Sequence, residues 1–175
     1  VGIVHRDHVA GVAGDEALLR QLPHGCWIGG TIPYFMGGEG GTCDRQHVFV
    51  TELPRHVRAA SVQRHDRTSL RRLCLDAPEH GFSILVLPAF SEVHEAFAQE
   101  APDYEDMYLK PLVGWVSGAH LSELGGTRPK VVDGRTGELL EDQAVVLHVP
   151  LPTTVWAQVD IVNLFEPGPG AVIEF

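Results

Sequence analysis

A chain of 175 residues, 44% hydrophobic and 21% charged, is long enough for one domain with a buried core and has the balance of an ordinary soluble protein. Its formal net charge of −10 argues against nucleic acid as the main partner, because phosphate contacts need a concentrated basic surface. No apolar run reaches membrane-span length: the longest, residues 84–90, is strand-sized and broken by Pro88.

In chain order, the N-terminus carries His5, Arg6, Asp7 and His8, which is no signal peptide. With three cysteines (Cys26, Cys43, Cys74) in no metal-type spacing, a cytoplasmic location with free thiols is expected. Residues 14–22 read as a short helix, with Asp15 and Glu16 in the first turn and Pro23 beyond its end. Residues 26–35 read as a strand, followed by the flexible loop Gly-Gly-Glu-Gly-Gly-Thr at 37–42. Short strands are expected at 47–51 and 57–62, with the corner Leu53-Pro54 between them, and a helix at 68–75. The unbroken apolar run 82–87 is typical of a buried central strand. Ser91 then caps a helix whose Glu92 and Glu95 sit near its positive end and whose Val93, Ala96 and Phe97 share the core face. Strands follow at 112–116, 144–149, 155–162 and 171–175, with a hairpin over 130–140 turning at Asp133-Gly134-Arg135-Thr136-Gly137 and a stiff turn at 163–170. The expected class is α/β or α+β: a mixed, largely antiparallel sheet with a few short helices.

Two short matches recur in the same order. Trp27-Ile-Gly-Gly30 pairs with Trp115-Val-Ser-Gly118, and Leu53-Pro-Arg-His-Val57-Arg-Ala59 pairs with Leu151-Pro-Thr-Thr-Val155-Trp-Ala157. They suggest a single domain, 1–175, of two similar β-rich halves (25–62 and 112–160) joined by an α-β-α segment over 67–100.

Charge is spread unevenly. Arg55, Arg58, Arg64, Arg67, Arg71 and Arg72 face a single acid, Asp66, in 55–72, whereas Glu92, Glu95, Glu100, Asp103, Glu105 and Asp106 have no base among them. Two neighbouring solvated faces would account for this, and so would a protein-partner contact on Arg55–Arg72 or Glu92–Asp106. Oligomer formation stays open.

Gly29-Gly30 inside a strand calls for a reason, since paired glycines pack nothing and lose the most entropy on ordering. Either another element crosses the bare backbone there, or a small ligand does. In the second case Trp27 and Tyr34 supply flat walls and Thr31 a hydroxyl, with Trp115, Ser117 and His120 as the second copy's contribution. Cys26, at the head of a strand, lacks the helix N-terminus or local histidine pairing that activates a thiol. No catalytic set has a local signature, so a non-catalytic role is expected, with a cysteine- or metal-dependent enzyme as the alternative. His5 and His8 have metal-compatible spacing, with a third ligand left open among Asp7, Cys43 and His47. A single axial ligand for haem has no spacing signature, and His94, His120 and His148 are the candidates.

Several pieces together resemble the bacterial FIST family of sensory, ligand-binding domains. They are Gly25-Cys26-Trp27-Ile28-Gly29-Gly30-Thr31 after a short helix, Val48-Phe49-Val50, Pro111 to Gly118, and Pro129-Lys130-Val131-Val132-Asp133-Gly134 leading to Ala144-Val145-Val146-Leu147. Trp27 stands where that family usually has a small polar residue. The resemblance implies small-ligand binding in the service of signalling, and some related proteins bind haem.

Overall fold

The computed structural model describes residues 10–53, 57, 59–161 and 170. Its small-residue first strand, β1 (Ala10–Gly14), runs into α1 (Glu16–Leu19), where the Asp15 carboxylate accepts from the Ala17 amide at 3.1 Å and so caps the helix. The chain returns as β2 (Trp27–Thr31), parallel to β1. The single strand expected over 26–35 ends at Thr31. Ile32 still donates to the Gly14 carbonyl at 3.0 Å, but Pro33 has no N–H, the ladder stops, and the chain turns into β3 (Tyr34–Gly37).

The glycine-rich loop is ordered as well. β3 and β4 (Gly40–Cys43) form a hairpin in which Gly40 takes a φ of +112°, open to glycine alone at no cost. Next come β5 (Phe49–Glu52) and β6 (Ser61–His65), the latter starting later than the expected 57–62. The helix expected at 68–75 is a single 3-10 turn at Leu70–Arg72. The central strand β7 (Gly81–Pro88), the Ser91-capped α2 (Glu92–Glu100), β8 (Leu112–Ser117), the hairpin β9 (Val131–Asp133) and β10 (Glu138–Leu140), and β11 (Ala144–Pro150) follow as expected. Residues 155–161 form no strand, and the turn and last strand expected at 163–175 fall outside the described residues except for Gly170.

The fold is thus mixed α+β, with few short helices and mostly antiparallel pairing. One sheet has the order β10-β9-β2-β1-β5 and the other β6-β11-β7-β8, with β3-β4 as a separate ribbon. Their inner faces enclose a core of Ile28, Val57, Val62, Ile84, Val86, Val131, Val145, Leu147 and Val149. Alternate residues of β7 and β11 (Leu85, Leu87, Ala144, Val146) face outward onto Val93 and the 3-10 turn, which explains why β7 is apolar without interruption. Outside the larger sheet, Trp27, Val12 and Val132 pack beneath Leu19 of α1.

A topological recurrence lies behind this arrangement. Each half runs strand, helix, parallel strand, hairpin, and a strand antiparallel to the first, then leaves through Leu-Pro: β1-α1-β2-β3-β4-β5 and β7-α2-β8-β9-β10-β11. The two halves lend each other strands. The β9-β10 hairpin of the second half completes the first half's sheet on β2, and β6, following the first half, completes the second half's sheet on β11.

Candidate functional site

Where the halves meet, the glycine pair has a packing role. A methyl group at Gly30 would sit 2.8 Å from Ser117 Cβ and 3.0 Å from Val86 Cγ1, so only bare backbone lets β2 cross β7 and β8 this closely. At Gly29 it would strike the Val12 carbonyl of the adjacent strand. Thr31 then ties the crossing together. Its amide donates to the Lys130 carbonyl at 2.8 Å, and its hydroxyl accepts from the Lys130 amide and donates to the Gly118 carbonyl, both at 2.9 Å. The Gly118 amide donates back to the Thr31 carbonyl at 2.6 Å. Thr31 is therefore fully engaged with backbone.

This crossing brings the carboxyl ends of both parallel pairs to one side of the molecule, the place where open α/β sheets leave a crevice between departing loops. A cleft of about 240 Å³ lies over Gly14, Thr31 and Gly118, at the ends of β1, β2 and β8. It continues through Thr127 and Arg128 into a larger one of about 670 Å³ over Ala89 and Phe90, which follow β7. In the smaller cleft, Arg45 bridges Asp15 (2.8 Å) and Glu123 (2.6 Å), and Lys130 pairs with Glu16 at 2.9 Å. His120 stacks on Tyr34 with ring centroids 5.7 Å apart, the Tyr34 hydroxyl accepts from the Leu121 amide at 3.0 Å, and His120 Nδ1 lies 2.7 Å from the Ser122 hydroxyl.

Around the larger cleft, the Asp142 carboxylate accepts from the Glu92 amide at 2.9 Å, so the amino end of α2 already holds an anion supplied by the chain. Phe90 sits in the left-handed region (φ 62°) and is 82% exposed. Such a conformation costs about 1 kcal/mol for a non-glycine residue, and no buried contact of the phenyl ring offsets it. Strain of this kind clusters at ligand-contacting positions.

Of the residues singled out from sequence, Thr31 and His120 line this cleft, Tyr34 stacks on His120 from the neighbouring apolar groove, and Ser117 lies buried beneath Gly30. Trp115 stands a little apart. It walls an apolar groove of about 350 Å³ with Tyr34, Phe35, Met36 and Phe49 over Gly11 and Ala13. Trp27 lies on the opposite face of its sheet, 1% exposed, its indole N–H donating to the Pro23 carbonyl at 3.0 Å. The two matched tryptophans thus face opposite ways, whereas the Leu-Pro match falls on equivalent points, with Leu53 and Leu151 both packed on the inter-sheet core. Arg45, Phe90, Thr127 and Arg128 carried no motif. The junction between a buried strand ending at Pro88 and a helix capped by Ser91 was the one signal for Phe90.

The remaining reactive groups have structural surroundings. Burial pushes the Cys26 thiol up, and its Sγ donates to the Ala60 carbonyl at 3.5 Å, surroundings that favour the thiol over the thiolate. His5 and His8 lie outside the described residues, and among the described residues no three metal-binding side chains cluster. Among the haem candidates, His148 is buried against Ser83 at 2.8 Å, and the His94 ring accepts from the Phe90 amide at 3.3 Å. His120 does line a cavity, but a small one with charged walls, whereas a porphyrin face needs apolar ones. These surroundings do not fit haem. Arg71 pairs with Glu100 at 2.7 Å, so the arginine-rich segment meets the acidic one at this point, whereas Arg64 pairs with Asp133 and Glu138 and Arg72 with Asp76; Arg55 and Arg58 lie outside the described residues. No helix among the described residues is long and apolar enough to cross a membrane.

Fold and cleft together define an α+β protein with two parallel β-α-β units that open onto a shared polar cleft. The chain belongs to DUF6976, a family of unknown function, whose model matches residues 2–175. Neither the curated proteins nor the solved structures contain a match to it.

Proposed function

We propose that this chain is a non-catalytic, cytoplasmic domain that binds and senses a small polar molecule in the cleft at the carboxyl ends of its parallel strands. The observation that carries the reading is Phe90, exposed and conformationally strained beside the larger cleft. A site of this composition suits a small molecule with a flat face. Phe90 and the His120–Tyr34 stack offer ring faces, and the exposed Arg128, shared by both clefts, offers a guanidinium for a carboxylate or carbonyl. The resemblance to FIST domains supports sensing as its purpose.

Native mass spectrometry of protein purified from its source, followed by titration calorimetry with the ligand it carries, tests the reading. A bound small molecule is expected, with affinity reduced about tenfold by Phe90→Ala and by Arg128→Ala, the worth of one aromatic or charge-assisted contact. Protein that carries nothing and is stabilised by no member of a metabolite library would overturn it.

A further inference from the structure

The recurrence of topology leaves one position unfilled. In the first half the chain leaves β5 at Leu53, which Pro54 follows in sequence, buries Val57 to 7% exposure in the inter-sheet core, and forms β6 along the edge of β11. The second half leaves β11 through Leu151-Pro152, and there Val155 stands where Val57 stands in the first. Val159 follows Leu151 by eight positions, as Ser61 follows Leu53. By this equivalence the chain should next run along the edge of β5. Among the described residues β5 ends its sheet with that edge unpaired. The segment meant for it is apolar and out in solvent: Val155 is 40% exposed, Trp156 77%, Val159 48% and Ile161 95%.

We infer that residues 155–161 are a docking strand that pairs antiparallel with the outer edge of β5 in the same chain, adding a sixth strand to the larger sheet and closing one side of the apolar groove beside Trp115. The register follows from β6 on β11, where Ser61 faces His148 and Val62 faces Leu147. Carried over, Val159 faces Val50 and Asp160 faces Phe49. Val159 and Ile161 then lie on the outer face, beside Val48 and Val50, which already pack on the Trp27 cluster but remain only partly covered. Asp160 points the other way, an inward charge of the kind that keeps an edge strand from recruiting further strands. Val155 reaches the groove, as Val57 reaches the core in the first half. The occupant is the chain itself, because the eight-residue connection that carries β6 across from one sheet to the other has an equal counterpart after Leu151. This inference is independent of the cleft and of what it binds.

Hydrogen–deuterium exchange on the full chain tests it, with Val159→Pro as the breaking variant, since proline supplies no N–H to a ladder. The amides of Phe49–Glu52 that point away from β1 are expected to exchange at least tenfold more slowly in the native chain than in the variant. Protection of β7 and β11 should be equal in both, and the protein should be monomeric by native mass spectrometry. Equal exchange of β5 in both chains overturns the inference. So does β5 protection that appears only in a dimer, because the strand then belongs to a second copy. Should the proline variant lose β7 and β11 protection through misfolding, a Phe49→Cys, Asp160→Cys pair in a Cys43→Ser background decides the matter. Oxidation must join the pair within one chain, and no bond, or a bond between chains, refutes cis docking.

Discussion

His148 is 2% exposed, its Nδ1 lies 2.8 Å from the Ser83 hydroxyl, and its Nε2 finds no partner among the described residues. Burial, with a smaller contribution from His65, pushes its pKa down from 6.5 to about 4. In the unfolded chain the ring takes up a proton below about pH 6.5 while the folded chain does not, so protonation favours unfolding. Stability from this group is full above pH 6.5 and declines as the pH falls towards 4, by up to about 3 kcal/mol in all. Urea denaturation between pH 7.5 and 4.5 should show that decline, and His148→Asn should flatten much of it. A residual slope belongs to His65, which burial also pushes down. A midpoint independent of pH in the native protein would contradict this account. Asp133 behaves differently. Burial alone would raise its pKa, but hydrogen bonds from Arg135 and Arg64 hold it at about 2, so the carboxylate stays charged throughout that range.

At the scale of elements, the crossing of β2 over β8 is where the molecule has least room. Gly30→Ala forces a methyl against Ser117 Cβ and Val86 Cγ1, both buried, and should cost about 1–3 kcal/mol. Ser117→Gly in the same chain removes one of the two collisions. Denaturant melts of the two single variants and the double variant should therefore give a favourable coupling of about 1 kcal/mol. Simple additivity would mean that the two strands do not touch through these atoms. The same crossing explains why the glycine pair sits within a strand otherwise built of large residues. The pair meets the neighbouring backbone on one face and the opposite sheet on the other, so neither face has space for a side chain.

For the whole molecule, the two β-α-β units share a core but divide the labour. Their inner faces supply stability, and their carboxyl ends, facing one way, supply the cleft. Phe90 shows the tension between the two tasks. Replacing it with glycine relieves the positive φ and removes an exposed ring, so Phe90→Gly should raise the thermal midpoint, by roughly 1 kcal/mol of stability, while weakening the ligand binding proposed for the cleft. Calorimetry of the variant checks the first half of that expectation, and a lowered midpoint would assign Phe90 to packing instead.

Elements whose signals are local can be read from residue order alone. The Asp15 and Ser91 caps and the turn at 133–137 rest on contacts within a few residues, and the unbroken apolar run of β7 and the α+β class are likewise legible from spacing and residue type. Residue order also carried the Leu-Pro equivalence, because both copies mark the same exit from a strand. Pairing between distant strands was decided only in three dimensions. The exchange of β9-β10 and β6 between halves, the opposite facings of Trp27 and Trp115, and the ending of β2 at Thr31 depend on which sheet covers which face. The cleft belongs to this second group. Thr31 and His120 could be named from sequence as small and polar residues beside a glycine pair, but Arg45, Phe90 and Arg128 join them only because two parallel pairs end on the same side. No local pattern encodes that coincidence, since it arises from the packing of one sheet on the other through the bare backbone at Gly30.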